Sequence, residues 1–321
     1  MEQWDRSWAE SAERRPRQRD RVRIGHTRVT FPGTTRSLLR SPGDKRGQMK
    51  IAVFGLGYVG AVSATCLASD GHHVIGVDPN QTKVDLINAG RTPIIEADVG
   101  DLISAEVKGG RLRATTQSRE AVLSSDISLI CVGTPSQLNG NLDLSYVRRV
   151  CEQIGEALRD DGNYHVVAAR STMLPGSMRG VVIPTLEAAS DKIAGVDFGV
   201  CNNPEFLREG TAVWDYYHPP KTVIGETDTK AGELLATLYG GLDSPVIRTG
   251  IEVAEMVKYA DNNWHALKVA FANEIGVISK ATGIDGRQVM EIFCQDTKLN
   301  LSPYYLKPGF AFGGSCLPKD V

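Results

Sequence analysis

The order of apolar and polar positions changes sharply at Met49. Residues 50–54 form a largely apolar run of strand length, which the glycine-rich residues 55–60 follow. Apolar residues then recur at helical spacing as far as residue 68, and a second apolar run, 73–77, ends at Asp78. Short apolar runs bounded by glycine are typical of buried strands, so this segment predicts strand, glycine turn, helix and strand.

Further apolar runs of strand length recur at intervals that leave room for helices between them. The predicted strands are Ile127 to Val132, Val166 to Ala169, Phe198 to Cys201 and Thr222 to Gly225. Strands that alternate with helices form parallel sheets covered on both faces. We therefore predict an α/β fold, a doubly wound parallel Rossmann sheet, over residues 49–250.

A long helical pattern runs from Ile251 to about Thr282, without proline and with only Gly276 inside it. A single packing partner covers only one face of a helix. Here apolar residues occupy more than one face: Val253, Met256, Val257, Ala260, Trp264, Leu267, Val269, Ala270, Phe271, Ile275 and Ile278. We predict an all-helical central region over 251–321, with a homodimer formed through the 251–282 helix.

Residues 1–48 show no sustained helical or strand period and are rich in Arg, Pro, Gly, Ser and Thr. They hold 12 basic and 6 acidic residues, which leaves 24 basic and 32 acidic residues for 49–321. Such a segment buries too little apolar surface to order itself, so we expect a disordered basic extension, or an upstream start with Met49 as the natural first residue. The alternatives are a basic arm for nucleic acid and an Arg-rich transit peptide, which is normally poor in acidic residues.

Composition narrows the class of protein. Of the 321 residues, 41% are hydrophobic and 23% charged, an ordinary globular balance, and the acidic body argues against a nucleic-acid surface. The six cysteines lie far apart without a CxxC pair, which favours a reducing compartment over a disulfide framework or a metal site. No apolar run approaches the roughly 18 residues that span a bilayer. We expect a cytoplasmic protein that binds neither membrane nor metal.

The turn Gly55-Leu56-Gly57-Tyr58-Val59-Gly60 predicts a dinucleotide site because it lies between a strand and a helix. Gly55 permits the tight turn, Gly57 lets the backbone approach a pyrophosphate, and Gly60 allows close helix packing. The phosphates are expected on the helix N-terminus.

Asp78 lies 18 residues after Gly60, where a carboxylate accepts hydrogen bonds from ribose hydroxyls and repels a 2′-phosphate. Pro79 and Asn80 follow without an arginine, so the predicted cofactor is NAD rather than NADP. Lys83 is close enough in sequence to reach the adenosine; the alternative is a solvated helix lysine.

Polar residues follow three of the predicted strands. Thr134 follows the 127–132 strand, Thr172 follows the 166–169 strand, and Glu205 and Glu209 lie just beyond the 198–201 strand. Open α/β sheets bind ligands at the carboxyl ends of their strands, so these side chains are candidates for a site. The two glutamates are suited to position water or bind sugar hydroxyls, or they form only a surface ion pair.

Lys258, Asn262 and His265 share one face of the long helix because they stand at positions i, i+4 and i+7. A lysine and an asparagine so aligned suit a buried site that stabilises an oxyanion and orients a substrate oxygen. The alternative is a polar stripe that faces solvent.

The segment Gly313-Gly314-Ser315-Cys316-Leu317-Pro318-Lys319-Asp320 sets a thiol after two glycines and before a predicted helix start. A helix dipole and Lys319 favour the thiolate, which is the nucleophilic form. Cys316 is therefore the candidate nucleophile. Cys66 and Cys131 lie in apolar stretches and are predicted to be core residues.

Six segments resemble the UDP-glucose/GDP-mannose dehydrogenase family in order and approximate spacing, over essentially all of 49–321. They are GLGYVG, VGTP, RSTMLPG, NPEFLREG, AEMVKYADNNWHA and GFAFGGSCLPKD. The resemblance implies NAD-dependent oxidation of the C6 alcohol of a nucleotide sugar to a carboxylate, through a covalent thiohemiacetal and a thioester. A second hydride can leave only after a nucleophile has made the aldehyde carbon tetrahedral again, which is the role of the thiol.

The resemblance also implies roles residue by residue. Cys316 matches the nucleophile, and Glu205 matches the residue assigned to proton transfer. Lys258 and Asn262 match the pair that stabilises oxyanions. Asp320 and Thr134 match the groups that position water. The implied sugar-nucleotide contacts are Glu209, Lys258, Asn262, His265, Asn273, Tyr304, Tyr305, Lys307 and Phe310. The implied NAD contacts are Gly55, Gly57, Tyr58, Val59, Gly60, Asp78, Lys83, Thr134, Thr172 and Lys319.

The segments NNWHALKVAFANEIG and NLSPYYLKPGFAFGGSC favour GDP-mannose as substrate, with UDP-glucose as the main alternative. The chain departs from the pattern at Lys307, where enzymes of the GDP-mannose type tend to have arginine. Arginine can bind a phosphate through two hydrogen bonds, whereas lysine offers only a point charge, so this contact is expected to be weaker in the implied site. The family's C-terminal nucleotide-sugar-binding domain is expected to be absent, which would leave the substrate pocket without one wall.

Two other interpretations stay open. The two-electron β-hydroxyacid dehydrogenases also combine a Rossmann domain with a lysine and an asparagine on a long helix, but they lack the GGSC motif. A non-enzymatic interpretation is a truncated, inactive module for dinucleotide binding and dimerisation. For this chain we expect dimerisation, weak binding of NAD and poor turnover.

Overall fold

The computed structural model describes residues 47–303 together with Leu306 and Pro308. Its strands are β1 (Lys50–Phe54), β2 (His73–Val77), β3 (Leu112–Thr115), β4 (Ile127–Ile130), β5 (Val166–Ala169), β6 (Gly199–Asn202), β7 (Thr222–Glu226) and β8 (Val246–Gly250). Its helices are α1 (Tyr58–Ser69), α2 (Gln81–Asn88), α3 (Val99–Lys108), α4 (Ser118–Leu123), α5 (Ser145–Arg159), α6 (Ile183–Ser190), α7 (Ala212–Tyr217), α8 (Thr229–Ala236), α9 (Ile251–Thr282) and α10 (Gly286–Phe293). A π-helical turn, Met178–Val182, precedes α6, and a 3-10 turn, Thr237–Tyr239, follows α8.

Within the described residues the strands form one sheet in the order β3-β2-β1-β4-β5-β6-β7-β8. Every neighbouring pair is parallel except β6 and β7, which are antiparallel. In chain order the sheet begins with β1 and extends through β2 to β3 on one side, and the chain then returns to form β4 on the other side of β1. This reversal opens a crevice at the carboxyl ends of β1 and β4, where open α/β sheets bind ligands.

Both faces of the sheet are covered, because successive side chains of a strand point to opposite faces. In β1, Ile51 and Val53 join one apolar cluster, and Ala52 and Phe54 join another; all four are at most 1% exposed. The first cluster includes residues of α1, α3, α7 and α8, and the second includes residues of α4, α5 and α6. Helices on both faces give the doubly wound arrangement that the alternation of strands and helices predicted.

Helix α9 begins directly after β8 and has the bounds that the sequence pattern predicted. Gly225 in β7 allows its first turn to approach the sheet, because a Cβ there would lie 2.7 Å from the Ile251 Cα. Ala254, Glu255 and Lys258 are also buried in these first turns, whereas most of the rest of the helix is exposed in a single copy of the chain. Helix α10 packs back on α9, and these two helices account for most of the described residues after β8.

Three details of the predicted sheet differ from the structure. Strands β3 and β8 were not predicted: both are edge strands, β3 alternates apolar with polar residues, and β8 is largely exposed. The predicted strand 127–132 ends at Ile130, and the predicted strand 198–201 is shifted by one residue. Strand β7 runs antiparallel to β6, against the all-parallel prediction, because hydrophobic periodicity carries no information on strand direction.

The predicted core cysteines are confirmed: Cys66 is 0% and Cys131 7% exposed. Burial raises the pKa of the Cys131 thiol to about 12, so this group is an inert apolar residue at neutral pH. The predicted disorder of 1–48 lies outside the described residues, apart from residues 47 and 48.

Candidate functional site

The turn between β1 and α1 has a different requirement at each of its three glycines. Gly55 has φ +93°, a left-handed conformation that favours glycine. A Cβ on Gly60 would lie 1.7 Å from the Gly55 carbonyl oxygen, so only glycine lets α1 pack this close to the turn. A Cβ on Gly57 would meet nothing within 4 Å. Open space therefore lies beside the N-terminus of α1, whose first N–H groups have no partner within the helix, and this suits a phosphate.

The Asp78 carboxylate is fixed to this turn by three donors. Its Oδ2 accepts a hydrogen bond from the Leu56 N–H at 2.8 Å and lies 3.1 Å from Lys83 Nζ, and its Oδ1 accepts from the Asn80 N–H at 2.9 Å. A carboxylate has about four acceptor positions, so capacity for a ribose hydroxyl is left. The open space at Gly57 and this anchored carboxylate together fit a dinucleotide. Lys83 pairs with Asp78, which argues against the alternative of a solvated lysine.

The loops that follow β4 and β5 are tied to each other at the carboxyl edge of the sheet. The Thr134 hydroxyl donates to the Thr172 carbonyl at 2.7 Å, and the Ser171 hydroxyl donates to the Val132 carbonyl at 2.6 Å. Thr134 and Thr172 therefore lie together at the carboxyl edge of the sheet, and their contact with a cofactor stays a prediction.

Tyr58 and Val59 open α1. Val59 is partly buried against the core, whereas the Tyr58 hydroxyl lies 2.6 Å from Glu96 Oε2 and 3.1 Å from the Arg208 carbonyl oxygen. Burial and the bond to Glu96 raise the pKa of Tyr58. The Tyr58 side chain thus connects the glycine turn to the NPEFLREG segment.

Glu205 and Lys258 form a largely buried ion pair. Lys258 Nζ lies 3.1 Å from Glu205 Oε1, and the two side chains are 10% and 12% exposed respectively. Glu205 Oε2 also accepts a hydrogen bond from the Leu207 N–H at 2.7 Å, and the ammonium lies 5.4 Å from the centre of the Phe206 ring. Because the pair is largely removed from solvent, the alternative of a surface ion pair at Glu205 is wrong. A carboxylate and an ammonium in low dielectric can accept a proton and stabilise an oxyanion.

Four other described residues of the predicted substrate set differ from this pair in their exposure to solvent. Glu209, Asn262, His265 and Asn273 are exposed in a single copy of the chain. The predicted polar face of α9 is therefore divided: Lys258 is buried, and Asn262 and His265 face outward.

Seven predicted site residues lie outside the described part of the chain. They are Tyr304, Tyr305, Lys307, Phe310, Cys316, Lys319 and Asp320. Their roles stay predictions.

A buried polar network behind the ion pair was not predicted. Arg170, 6% exposed, donates through Nη1 to the Asn203 side-chain oxygen and to the Tyr239 hydroxyl, and that hydroxyl donates to the same Asn203 oxygen. Arg170 and Glu205 line a cavity of about 40 Å³, which has room for about one water molecule. Arg170 opens RSTMLPG and Asn203 opens NPEFLREG, so both were in segments already singled out, but nothing in the sequence pointed to Tyr239.

Glu255 was also missed. It is 1% exposed, and its carboxylate accepts hydrogen bonds from the Gly176 N–H at 2.7 Å and the Met178 N–H at 2.9 Å. Burial raises its pKa, against the effect of these two bonds. Glu255 thereby fixes the loop after β5 to α9, one helical turn before Lys258. Its position three residues before Lys258, on the same side of the helix, was the sequence signal that could have identified it.

Within the part of the chain that the structure describes, no group of three or more His, Cys, Asp or Glu side chains is arranged to hold a metal ion. The helices described there are all too short or too polar to cross a membrane.

Comparison with known proteins agrees with this geometry. Residues 49–243 match the model of the UDP-glucose/GDP-mannose dehydrogenase family, NAD binding domain, and residues 252–321 match the central domain of the same family. The chain is 60% identical over 273 residues to GDP-mannose 6-dehydrogenase of Azotobacter vinelandii, covering 85% of this chain and 63% of the relative. It is 38% identical over 278 residues to a UDP-glucose 6-dehydrogenase of Haloferax volcanii, covering 85% of this chain and 64% of the relative.

Among solved structures, the chain resembles a ternary complex of GDP-mannose dehydrogenase from Pseudomonas aeruginosa, with a TM-score of 0.84 and 60% identity over 85% of this chain and 62% of that one. The chain thus spans somewhat less than two thirds of the length of these relatives. The matches do not favour a β-hydroxyacid dehydrogenase or an inactive module. From its glycine turn, its sheet and these matches, we conclude that the chain belongs to the UDP-glucose/GDP-mannose dehydrogenase family, with the family's NAD-binding domain in residues 49–243.

Proposed function

We propose that this chain acts in an NAD-dependent nucleotide-sugar 6-dehydrogenase that oxidises the C6 alcohol of GDP-mannose to the carboxylate of GDP-mannuronate, for polysaccharide precursor synthesis. The observation that carries the proposal is the buried contact between Glu205 and Lys258. In the proposed reaction, these two side chains contact the oxygen of the C6 alcohol. GDP-mannose is preferred to UDP-glucose because the relatives named for GDP-mannose are 59 to 60% identical and those named for UDP-glucose are 38 to 39% identical.

The first oxidation converts the alcohol to an aldehyde. Glu205 accepts the proton of the C6 hydroxyl as a hydride leaves the same carbon, and Lys258 stabilises the negative charge that develops on the oxygen. NAD, when bound, supplies the hydride acceptor in each of the two oxidations. The burial of the ion pair strengthens these charge interactions, since the local dielectric is lower than in water.

The second oxidation needs a nucleophile. In the proposed sequence the Cys316 thiolate adds to the aldehyde carbon, and the oxygen takes the proton that Glu205 accepted in the first oxidation, which gives a thiohemiacetal. Loss of a second hydride from the carbon, with transfer of the hydroxyl proton back to Glu205, gives the thioester, and Asn262 and Lys258 hold the oxygen. Water positioned by Asp320 and Thr134 then hydrolyses the thioester, which releases the carboxylate and restores the thiol.

Product stoichiometry tests this proposal. We expect two NADH per GDP-mannose consumed by the wild-type chain, measured by absorbance together with chromatography of the sugar nucleotide. Cys316→Ser is expected to abolish carboxylate formation, while Cys294→Ser, which removes the exposed thiol directly after α10, is expected to leave it unchanged. One NADH per sugar in the wild type, or carboxylate formation by Cys316→Ser, would refute the thioester mechanism.

We also propose that α9 forms a homodimer. Trp264, Leu267, Val269, Phe271 and Ile278 are each at least 38% exposed on this helix in a single copy of the chain. A second copy that lays its own α9 here would bury this surface and bring the exposed Asn262 and His265 into an interface. Light scattering is expected to give the mass of a dimer, and Leu267→Asp to give a monomer; a monomeric wild type would contradict the proposal.

We further propose a cytoplasmic location. The five described cysteines are all free thiols, which suits a reducing compartment. Fractionation of the source cells is the test, and recovery of the chain outside the cytoplasm would contradict it.

A further inference from the structure

One carboxylate, that of Glu96, holds together three segments that are distant in sequence. Its Oε2 accepts hydrogen bonds from the Tyr58 hydroxyl at 2.6 Å and from the Gly210 N–H at 2.8 Å. Its Oε1 accepts from the Ala212 N–H at 3.0 Å. Tyr58 lies in the first turn of α1, Gly210 lies in the loop between β6 and α7, and Ala212 is the first residue of α7. No role in substrate or cofactor binding was predicted for Glu96.

The bonds are those of an ionised carboxylate. Burial acts to raise the pKa of Glu96, but the bonds from Tyr58, Gly210 and Ala212 outweigh it, and the pKa is lowered. Glu96 therefore carries its charge at neutral pH and accepts three hydrogen bonds, which are stronger when the acceptor is charged.

The loop that Glu96 holds carries the proposed proton acceptor. Glu205 lies five residues before Gly210, and its side chain is fixed by Lys258 at 3.1 Å. Asp215 restrains the intervening backbone, since its Oδ2 accepts from the Arg208 N–H at 2.9 Å. With Glu205 fixed at one end and Gly210 at the other, a shift of Glu96 is transmitted to the reacting carboxylate over a short, restrained stretch.

The other end of the connection lies at the cofactor turn. Tyr58 directly follows Gly57, beside the open space that suits a pyrophosphate. The Tyr58 hydroxyl has one proton, and it donates this proton to Glu96 because that oxygen is nearer than the Arg208 carbonyl. A ligand that orders the first turn of α1 would therefore order Tyr58, Glu96 and the loop together.

We infer that Glu96 is a positioning residue that couples occupancy of the cofactor turn to the placement of the loop that carries Glu205. This inference rests on the proposed function, which assigns NAD to the turn and proton transfer to Glu205. Glu96 itself contacts neither reacting group; it acts through Tyr58 on one side and through the Gly210 and Ala212 amides on the other.

Hydrogen exchange of the full chain, with and without saturating NAD, measures this coupling directly. In the wild type, NAD is expected to slow exchange of amides 203–212 by at least about fivefold, the lower end of typical coupling between sites. Tyr58→Phe removes only the hydroxyl, and Glu96→Gln removes the charge; each is expected to abolish most of the slowing. The double variant is expected to lose no more than either single variant, because both act on one connection. Tyr146→Phe, an exposed tyrosine of α5, is the matched control and is expected to retain the wild-type response.

Calorimetry of NAD binding separates the possible failures. If the wild type binds NAD and exchange of 203–212 does not change, the inference is overturned while the proposed cofactor site stands. If the wild type binds no NAD, the proposed cofactor site fails and the inference fails with it. If Glu96→Gln speeds exchange equally with and without NAD but the NAD-induced slowing persists, Glu96 is only structural, which also overturns the inference.

Discussion

Replacement of Gly60 by alanine tests the packing of the cofactor turn most sharply. The added Cβ would lie 1.7 Å from the Gly55 carbonyl oxygen, 2.9 Å from the Gly55 carbonyl carbon and 3.2 Å from Cys131 Cβ. Real Cβ contacts are essentially never shorter than 3.0 Å, so α1 must move by about 1.3 Å relative to the turn. The nearest neighbour is backbone, which cannot rotate away as a side chain does.

The free energy of unfolding should fall accordingly. Overpacking of a dense core costs about 1–3 kcal/mol, and a contact with fixed backbone belongs at the upper end of that range. Alanine has a higher helix propensity than glycine, which raises the free energy of unfolding by up to about 1 kcal/mol and offsets part of this cost. We expect Gly60→Ala to lower the free energy of unfolding by about 2 kcal/mol, and to abolish NAD binding because the first turn of α1 is displaced.

Urea unfolding followed by circular dichroism, together with calorimetry of NAD binding, checks this expectation. The matched control is Gly57→Ala, where the Cβ would meet nothing within 4 Å and φ is −79°, a conformation that alanine adopts. In Gly57→Ala, the smaller conformational freedom of the unfolded chain raises the free energy of unfolding, and the poorer helix cap that alanine forms lowers it. The free energy of unfolding should therefore stay within about 1 kcal/mol of the wild-type value. NAD binding should still be lost, because the methyl group occupies the space expected for the pyrophosphate. If Gly60→Ala is as stable as Gly57→Ala, the close packing at Gly60 is not what requires the glycine.

Three further predictions concern charge. Asp78→Asn should raise the ratio of NADP to NAD affinity by about tenfold or more in calorimetric titrations, because the repulsion of a 2′-phosphate is removed; an unchanged ratio would count against Asp78 as the ribose-binding residue. Burial lowers the pKa of His165 to about 4, below its usual value of 6.5, so its stabilising contribution is present in full above pH 6.5 and is lost as the pH falls toward 4. That contribution is about 3 kcal/mol at most. His165→Asn should therefore make the free energy of unfolding depend less steeply on pH between about 4 and 6.5. An equally steep dependence in the variant would mean that other groups cause it. Lys258→Met should cost about 3 kcal/mol in urea unfolding because it leaves the largely buried Glu205 charge without its cationic partner. The double variant with Glu205→Gln should recover most of that loss, and additive losses would mean that the two charges do not interact.

Much of the fold could be predicted because the determining patterns are local. The bounds of β1, β2, β5 and α9 follow from runs of apolar residues and from helical spacing, which a stretch of a few turns contains in full. The glycine turn is also local, since each of Gly55, Gly57 and Gly60 is required by the geometry of one strand-to-helix connection. The edge strands β3 and β8 were missed because an edge strand buries too few of its side chains to leave a clear pattern.

The sequence by itself therefore determined the cofactor turn, the acidic residue after β2, the long helix and the candidate roles of Glu205 and Lys258. Only the tertiary structure decided that the last two form a buried pair, that β7 runs against β6, and that Arg170 and Tyr239 support the site from behind. It also placed Glu96 against the Ala212 amide, 116 residues away in the chain. The physical reason is that such contacts depend on the order in which strands enter the sheet, and strand order is set by the packing of the whole core rather than by any single segment.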